Sequence, residues 1–283
     1  AALRPGNGIT YRIGRIDGSI YGRARLIDVR NYDPKGLVLR VSRADLDWNP
    51  FAWTRNRLEI RSLVAPQALL VRLPEPRATG RQGPILPGFD IGIGVLRIDR
   101  LVFGPRIGGV QRTGRLAGRA DIRSGRALVR LDLDVAGSDV MRLMLDAEPD
   151  RDRFDLDLAA RGGARGVLAG LTGISRPLML RIAGDGRWRG WQGRAIARAG
   201  DLSLADLRLT NRAGDYRLVG TANPSPLLKG KLQRLTAPAL RIDAGATLAR
   251  RRLDGRLSVR SGAVRLDATG IVDLGQAAFR NLR

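Results

Sequence analysis

The chain contains neither cysteine nor histidine among its 283 residues. Without cysteine there is no disulfide framework, and the redox compartment is left open. Without histidine, Ser-His-Asp and Cys-His nucleophilic sites are excluded, as are the usual zinc sites. Lysine is scarce: Lys35, Lys229 and Lys231 are the only ones, although basic residues number 50 against 27 acidic, for a net charge of +23. Arginine carries nearly all of that charge, and its guanidinium suits phosphate and carboxylate, so nucleic acid and anionic lipid headgroups are both admissible partners. Aromatic residues make up 5%, little for a β-sandwich core of this length. No run of about eighteen apolar residues occurs, and the opening AALRPGNGITYRIG lacks the layout of a signal peptide. The chain as given reads as soluble or as a fragment.

What is present is alternation. In GRALVRLDLDVAG, residues 125–137, Leu131, Leu133 and Val135 point one way while Arg130, Asp132 and Asp134 point the other, the signature of a strand with one apolar and one charged face. The same period of two returns at 11–22, 37–48, 58–64, 89–103, 140–149, 153–160 and 178–186. It continues through RAIARAG, LSLADLRLTN, YRLVGTAN, LKGKLQRLTA, LRIDAGATL, RLDGRLSVRSG and VRLDATGIVDL. Short strands at such intervals, punctuated by turn residues, predict an all-β meander. In LSLADLRLTN the apolar phase shifts between Leu204 and Leu207, as a bulge requires, and bulges bend sheets. Three stretches break the pattern: the Pro/Gly-rich segment 73–88 reads as an exposed loop, GGARGVLAGLTGISRP (162–177) as one short helix between glycines, and 50–55 as a small helix opened by Pro50.

With so few helices, the apolar face must meet another sheet, curl on itself, or hold something that is not protein. The carboxylate pairs Asp132/Asp134 and Asp155/Asp157 read as solvated strand surface rather than acid–base or metal sites, because many strands repeat the arrangement. No GxGxxG or Walker A motif occurs. In GRWRGWQGR the rings of Trp188 and Trp191 are expected to pack inward with the arginines solvated, which weighs against a nucleic-acid surface. No enzymatic activity, cofactor or metal is called for.

Tyr11–Gly36, then VSRADLDWNPFAWTRNRLEIRSLVAPQALLVRL, ILPGFDIGIGVLRIDRLVFGP and LDAEPDRDRFDLDLAA, together resemble the TamB family of AsmA-like proteins of Gram-negative bacteria, of alphaproteobacterial type. The telling piece is Leu46-Asp47-Trp48, Pro50-Phe51-Ala52-Trp53, then Leu58 and Ile60. The resemblance implies an elongated, curled antiparallel β-groove with an apolar concave face and a few short helices. It implies a periplasmic protein tethered to the inner membrane, moving phospholipid toward the outer membrane and aiding outer-membrane protein assembly beside a β-barrel partner. Neither the family's membrane anchor before Ala1 nor its partner-binding C-terminal domain after AAFRNLR appears, so a fragment or a short relative is expected. The expected organisation is an N-terminal β module (1–72), the loop 73–88 and repeating groove strands (89–283). About sixteen strands at ~4.8 Å give a groove on the order of 75 Å long. Its expected lining is Leu131, Leu133, Val135, Phe154, Leu156, Leu158, Leu202, Leu204, Leu207 and Leu209. A basic nucleic-acid binder and a purely structural scaffold are the alternatives.

Overall fold

The computed structural model describes residues 2–3, 9–19, 21–75, 90–123, 126–148, 151–249, 252–273 and 278–280. Its N-terminal strands are β1 (Ala2–Leu3), β2 (Thr10–Gly18), β3 (Arg23–Asp33), β4 (Gly36–Asn49), β5 (Arg57–Leu70) and β6 (Asp90–Phe103). There follow β7 (Arg112–Arg123), β8 (Arg126–Val135), β9 (Asp139–Glu148), β10 (Arg153–Gly162), β11 (Leu178–Arg187) and β12 (Gly190–Ala199). The last are β13 (Leu202–Arg212), β14 (Asp215–Ala222), β15 (Leu240–Ala249), β16 (Arg252–Arg260), β17 (Arg265–Asp273) and β18 (Ala278–Arg280). Each strand pairs with the next in sequence, antiparallel everywhere except β5–β6, which is parallel. The result is one curled, unclosed sheet: the all-β meander expected from the alternation and the elongated groove implied by the resemblance, with one parallel step in it. Of the loop expected over 73–88, residues 73–75 are irregular and the remainder lies outside the described residues.

The two long edges of this sheet differ. One carries the tight turns at 188–189 and 213–214 together with the connection 50–56 between β4 and β5. On the other, turns alternate with longer connections that carry the helices α1 (Pro105–Gly108), α2 (Val167–Thr172) and α3 (Gly230–Thr236). Those helices follow β6, β10 and β14, one every four strands. The sequence repeats with them. Leu168-Ala-Gly-Leu171-Thr172 in α2 matches Leu232-Gln-Arg-Leu235-Thr236 in α3, and Leu180-Arg181-Ile182 in β11 matches Leu240-Arg241-Ile242 in β15. The helix ends match too: the Thr172 hydroxyl donates to the Leu168 carbonyl at 2.9 Å, and that of Thr236 to Leu232 at 2.9 Å.

The helix expected within 162–177 is α2, and the one at 50–55 is a 3-10 turn, Pro50–Arg55. The strand expected over LKGKLQRLTA is not formed: Gly230–Thr236 is helical. Leu232 and Leu235 stand three apart and no β-branched residue precedes Thr236, so a helical turn places both leucines on one side. The bulge expected in β13 is present. The register shifts at Ala197/Arg198, whose partners Ala205 and Ser203 leave Leu204 as the extra residue. Further shifts in β3–β4, β4–β5 and β6–β7 add to the bending.

Burial is concentrated on the apolar side at the helix edge. Val41, Ala44, Ala65, Leu101, Phe103, Ile107, Val135 and Val167 belong to one buried cluster, and Leu26, Leu63, Leu116 and Leu133 pack against it. Helices α1 and α2, four strands apart in order, touch each other and contribute Ile107 and Val167 to this cluster, so the sheet curls toward its apolar face. The fold anchors α2 through Asp139 at the start of β9. That buried carboxylate accepts the Val167 N–H at 2.7 Å, the Leu168 N–H at 3.1 Å and the Ser138 hydroxyl at 2.5 Å. Gly162 and Gly166 make room for it, since a Cβ on either would stand 2.1 or 2.3 Å from an Asp139 oxygen.

Candidate functional site

The apolar face is built from cross-strand rows, because antiparallel pairing sets residues of equal facing side by side. One row runs Leu116, Leu133, Met141, Ala160, Leu180, Ala197, each paired to the next across β7–β12. A second runs from Leu96 on β6 to Leu266 on β17, through Leu131, Leu143, Leu158, Ile182, Ala195, Leu207, Ile242 and Val259, with glycines at 118 and 220. A third joins Val129, Leu145, Leu156, Gly184, Gly193, Leu209, Leu218, Ala244 and Leu257. The second row alone extends on the order of 50 Å at ~4.8 Å per strand. Among the described residues no second sheet covers these rows, and their large side chains are mostly half-buried rather than buried.

All ten residues expected to line the groove lie on this face, in four different settings. Val135 is closed core, only 1% exposed beneath the helices. Leu133 packs against the same cluster, and Leu204 against a smaller one formed by Ile174, Leu178 and Ala199. Leu131, Leu156, Leu158, Leu202, Leu207 and Leu209 are half-buried on the open stretch. Phe154 belongs to an aromatic group at the turn edge: its ring stacks on Trp191 at 4.8 Å and lies 6.3 Å from Trp188, and Trp191 meets Tyr216 edge-on at 6.1 Å. Phe154 and Trp191 also cover the side-by-side glycines 184 and 193, where the sheet has no side chains of its own. Arg187 and Arg189, interleaved with the two tryptophans, are exposed. Sequence reasoning passed over Leu143, Leu145, Leu180, Ile182 and Leu218, which the same alternation would have located on β9, β11 and β14.

The opposite face is charged, and part of its charge is paired across strands. Arg194 and Asp206 on adjacent strands form a two-pronged contact at 2.6 and 2.8 Å, and Arg25–Asp45 and Arg217–Asp243 pair across strands through single hydrogen bonds at 2.8 and 3.1 Å. Hydrogen bonds from Arg194 hold the Asp206 carboxyl below its ordinary range, and those from Arg25 and then Arg43 do the same for Asp45. Exposed pairs of this kind contribute little each. Of the carboxylates weighed above, Asp132 lies 3.7 Å from Arg142 and Asp157 3.7 Å from Arg181. A hollow among Arg241, Asp243, Arg256 and Asp267 also opens on the charged face. It is a gap between long charged side chains, with Leu257 and Ala268 also in its lining.

Among the described residues no helix is long and apolar enough to cross a membrane. Comparison with family models, curated proteins and solved structures finds no match for the chain.

Proposed function

We propose that the protein binds phospholipid by its acyl chains along the open apolar face and passes it from strand to strand. On the resemblance to TamB and AsmA-like proteins, the setting we propose is the periplasm, with transfer from inner toward outer membrane and a β-barrel assembly partner at the far end. The observation that carries the reading is the uninterrupted apolar row from Leu96 to Leu266, uncovered by any second layer among the described residues.

A contiguous exposed apolar surface of this extent is costly in water and marks a binding site. Its lining of Leu, Ile, Val, Ala and Gly contains no polar group to fix one ligand's orientation, so a chain can shift by one row without losing a hydrogen bond. The charged face keeps the outside of the groove wetted, and lipid headgroups remain in water at the rim. No side chain has to act chemically in such transfer.

The test places a photo-crosslinking residue at Leu131 or Leu156, and as controls at Asp132 or Asp155, and analyses captured lipid by mass spectrometry. Lipid adducts at the leucine positions only are expected. Equal labelling at both sets refutes the groove. Crosslinks at Leu131 to other segments of the chain alone would establish a closed scaffold instead.

A further inference from the structure

Helices α2 and α3 occupy equivalent places in the four-strand repeat, yet they are used differently. In α2, Val167 and Ala169 are buried, Leu168 packs against the cluster around Leu178, and Asp139 holds the first turn. In α3 no residue is buried and no side chain caps the start. Leu232, the counterpart of Leu168, is 59% exposed and Leu227 in the preceding turn 53%, while Leu235 at 37% resembles its counterpart Leu171 at 42%. Two of the protein's three lysines, Lys229 and Lys231, flank the start of α3, with Arg234 one turn on, and no acidic residue occurs between Asp215 and Asp243. The α2 connection is also free of acids between Asp157 and Asp185 and carries Arg161, Arg165 and Arg176, so the two connections differ in burial and not in the sign of their charge. The turn between β16 and β17 meets α3, with the Ser261 hydroxyl donating to the Leu235 carbonyl at 2.7 Å, and has no acid; the turn on the other side, between β12 and β13, carries Asp201.

We propose that the connection carrying α3 is a membrane-docking element: Leu227, Leu232 and Leu235 enter the interfacial layer of an anionic phospholipid bilayer while Lys229, Lys231 and Arg234 meet its phosphates. Exposed leucines beside a cluster of basic residues, without acids, form a surface complementary to a layer that is apolar beneath and negative above. Duplex DNA would satisfy the charges but leave the leucines in water, and this connection has no aromatic ring on which a base could stack. The inference goes beyond the groove proposal and does not depend on it, because these residues stand at the helix edge and not among the apolar rows. If both hold, docking sets that long edge of the groove against the bilayer.

The test is co-sedimentation of the full chain with phosphatidylcholine vesicles, with and without phosphatidylglycerol. Wild type is expected to partition onto the phosphatidylglycerol vesicles only. Each basic residue near an anionic surface contributes on the order of fivefold, so Lys229→Glu/Lys231→Glu/Arg234→Glu is expected to lower partitioning by at least ~tenfold. Leu232→Ser/Leu235→Ser, which leaves the charge unchanged, is expected to lower it as well while the chain stays folded, because no residue of α3 is fully buried. Reversing three charges on the opposite edge, Arg187→Glu/Arg189→Glu/Arg212→Glu, controls for net charge. An equal loss in that control, or wild-type partitioning of the leucine variant, overturns the proposal. So does a leucine variant that dissociates a self-associated form while vesicle binding persists, or loss of DNA binding alone in the α3 charge reversal. Lipid capture at Leu131 is read separately, so failure of docking and failure of the groove are distinguishable.

Discussion

Val135 and Leu131 stand on the same face of β8, four residues and about 13 Å apart, yet the structure assigns them to different environments. Val135 lies under Ile107 and Val167 and is 1% exposed, whereas Leu131 is half-buried on the open rows. The same aspartate substitution therefore meets different physics. At Val135 it forfeits about 1.5–3 kcal/mol of apolar burial and encloses a carboxylate without a partner, which costs several kcal/mol more. A total of about 4–6 kcal/mol is comparable with the whole stability of an ordinary domain. At Leu131 about half of a leucine's burial is lost, roughly 1–1.5 kcal/mol, and aspartate's poor fit to a strand adds up to about 1 kcal/mol. The carboxylate still reaches water, so about 2 kcal/mol is expected.

Guanidinium unfolding followed by circular dichroism and by fluorescence of the Trp191 cluster would measure both variants. Leu131→Asp is expected to fold with a lowered midpoint and Val135→Asp to be largely unfolded without denaturant. Equal losses at the two positions would refute the argument, because they would mean the rows are covered as completely as the helix-edge core. Leu133 is a poorer probe than Leu131 for this purpose, since it packs against the buried cluster.

Asp139→Ala removes the acceptor for two α2 amides and should cost about 1–2 kcal/mol, with hydrogen exchange accelerating at Val167 and Leu168 before the neighbouring strands. Asp33 is buried and paired with Arg72, whose hydrogen bonds hold its carboxyl well below the usual range, helped by the Glu75 and Lys35 N–H groups at 2.7 Å each. A depressed carboxylate stabilises the fold above its unfolded value of about 3.9 and loses that contribution as pH falls through the folded value. The stability difference between wild type and Asp33→Asn should therefore stay level from neutral pH to about pH 5 and shrink below about pH 4, and a difference that grows on acidification would contradict the pairing. Gly220 sits mid-strand with φ +151°, and a Cβ there would stand 2.0 Å from the Asp206 carbonyl oxygen. Gly220→Ala should cost about 1–3 kcal/mol, while Gly190→Ala, with open space around it, should stay within about 0.5 kcal/mol of wild type; thermal melts compare the two.

Where alternation is unbroken, as in Leu131-Asp132-Leu133-Asp134-Val135, sequence alone locates both strand and faces, because period-two patterning and two-faced burial are the same fact. It falters where a side chain is missing. In β7 the apolar positions include Gly114 and Gly118, and a Cβ on Gly118 would stand 2.9 Å from Leu131 Cδ1; the neighbouring strand's leucine occupies that space, so the apolar face persists although the residue does not advertise it. The misread of α3 has the opposite origin. Leu228, Gly230 and Leu232 alternate with Lys229 and Lys231, a period of two that runs from two extended residues, Leu228 and Lys229, into the first turn of a helix rather than along a strand. The division of the expected lining into closed core and open rows depends on α1 and α2 meeting over Val135, a contact between segments about sixty residues apart that no local pattern encodes. The parallel β5–β6 pair is likewise set by where the chain returns, not by the composition of either strand.

A sheet with one layer and few fully buried side chains has to draw its cohesion from neighbours: ladder hydrogen bonds, row contacts on one face and arginine–aspartate pairs on the other. Each strand then depends chiefly on the two beside it, which is the quasi-one-dimensional regime of repeat proteins. That regime accounts for the low aromatic content, because a row needs side chains that continue it and not large rings that fill a defined volume. It also accounts for where the aromatic group is placed. Phe154, Trp191 and Tyr216 gather where Gly184 and Gly193 leave the sheet without side chains, restoring contact across β10–β14 that the glycines would otherwise interrupt. The helices perform the corresponding service at the other edge, where Asp139 ties α2 to β9 and the core under it joins β4 to β8. Between those two supports no second layer among the described residues covers the rows, and on the proposed function that stretch is where a ligand's hydrocarbon would replace water without displacing any part of the fold.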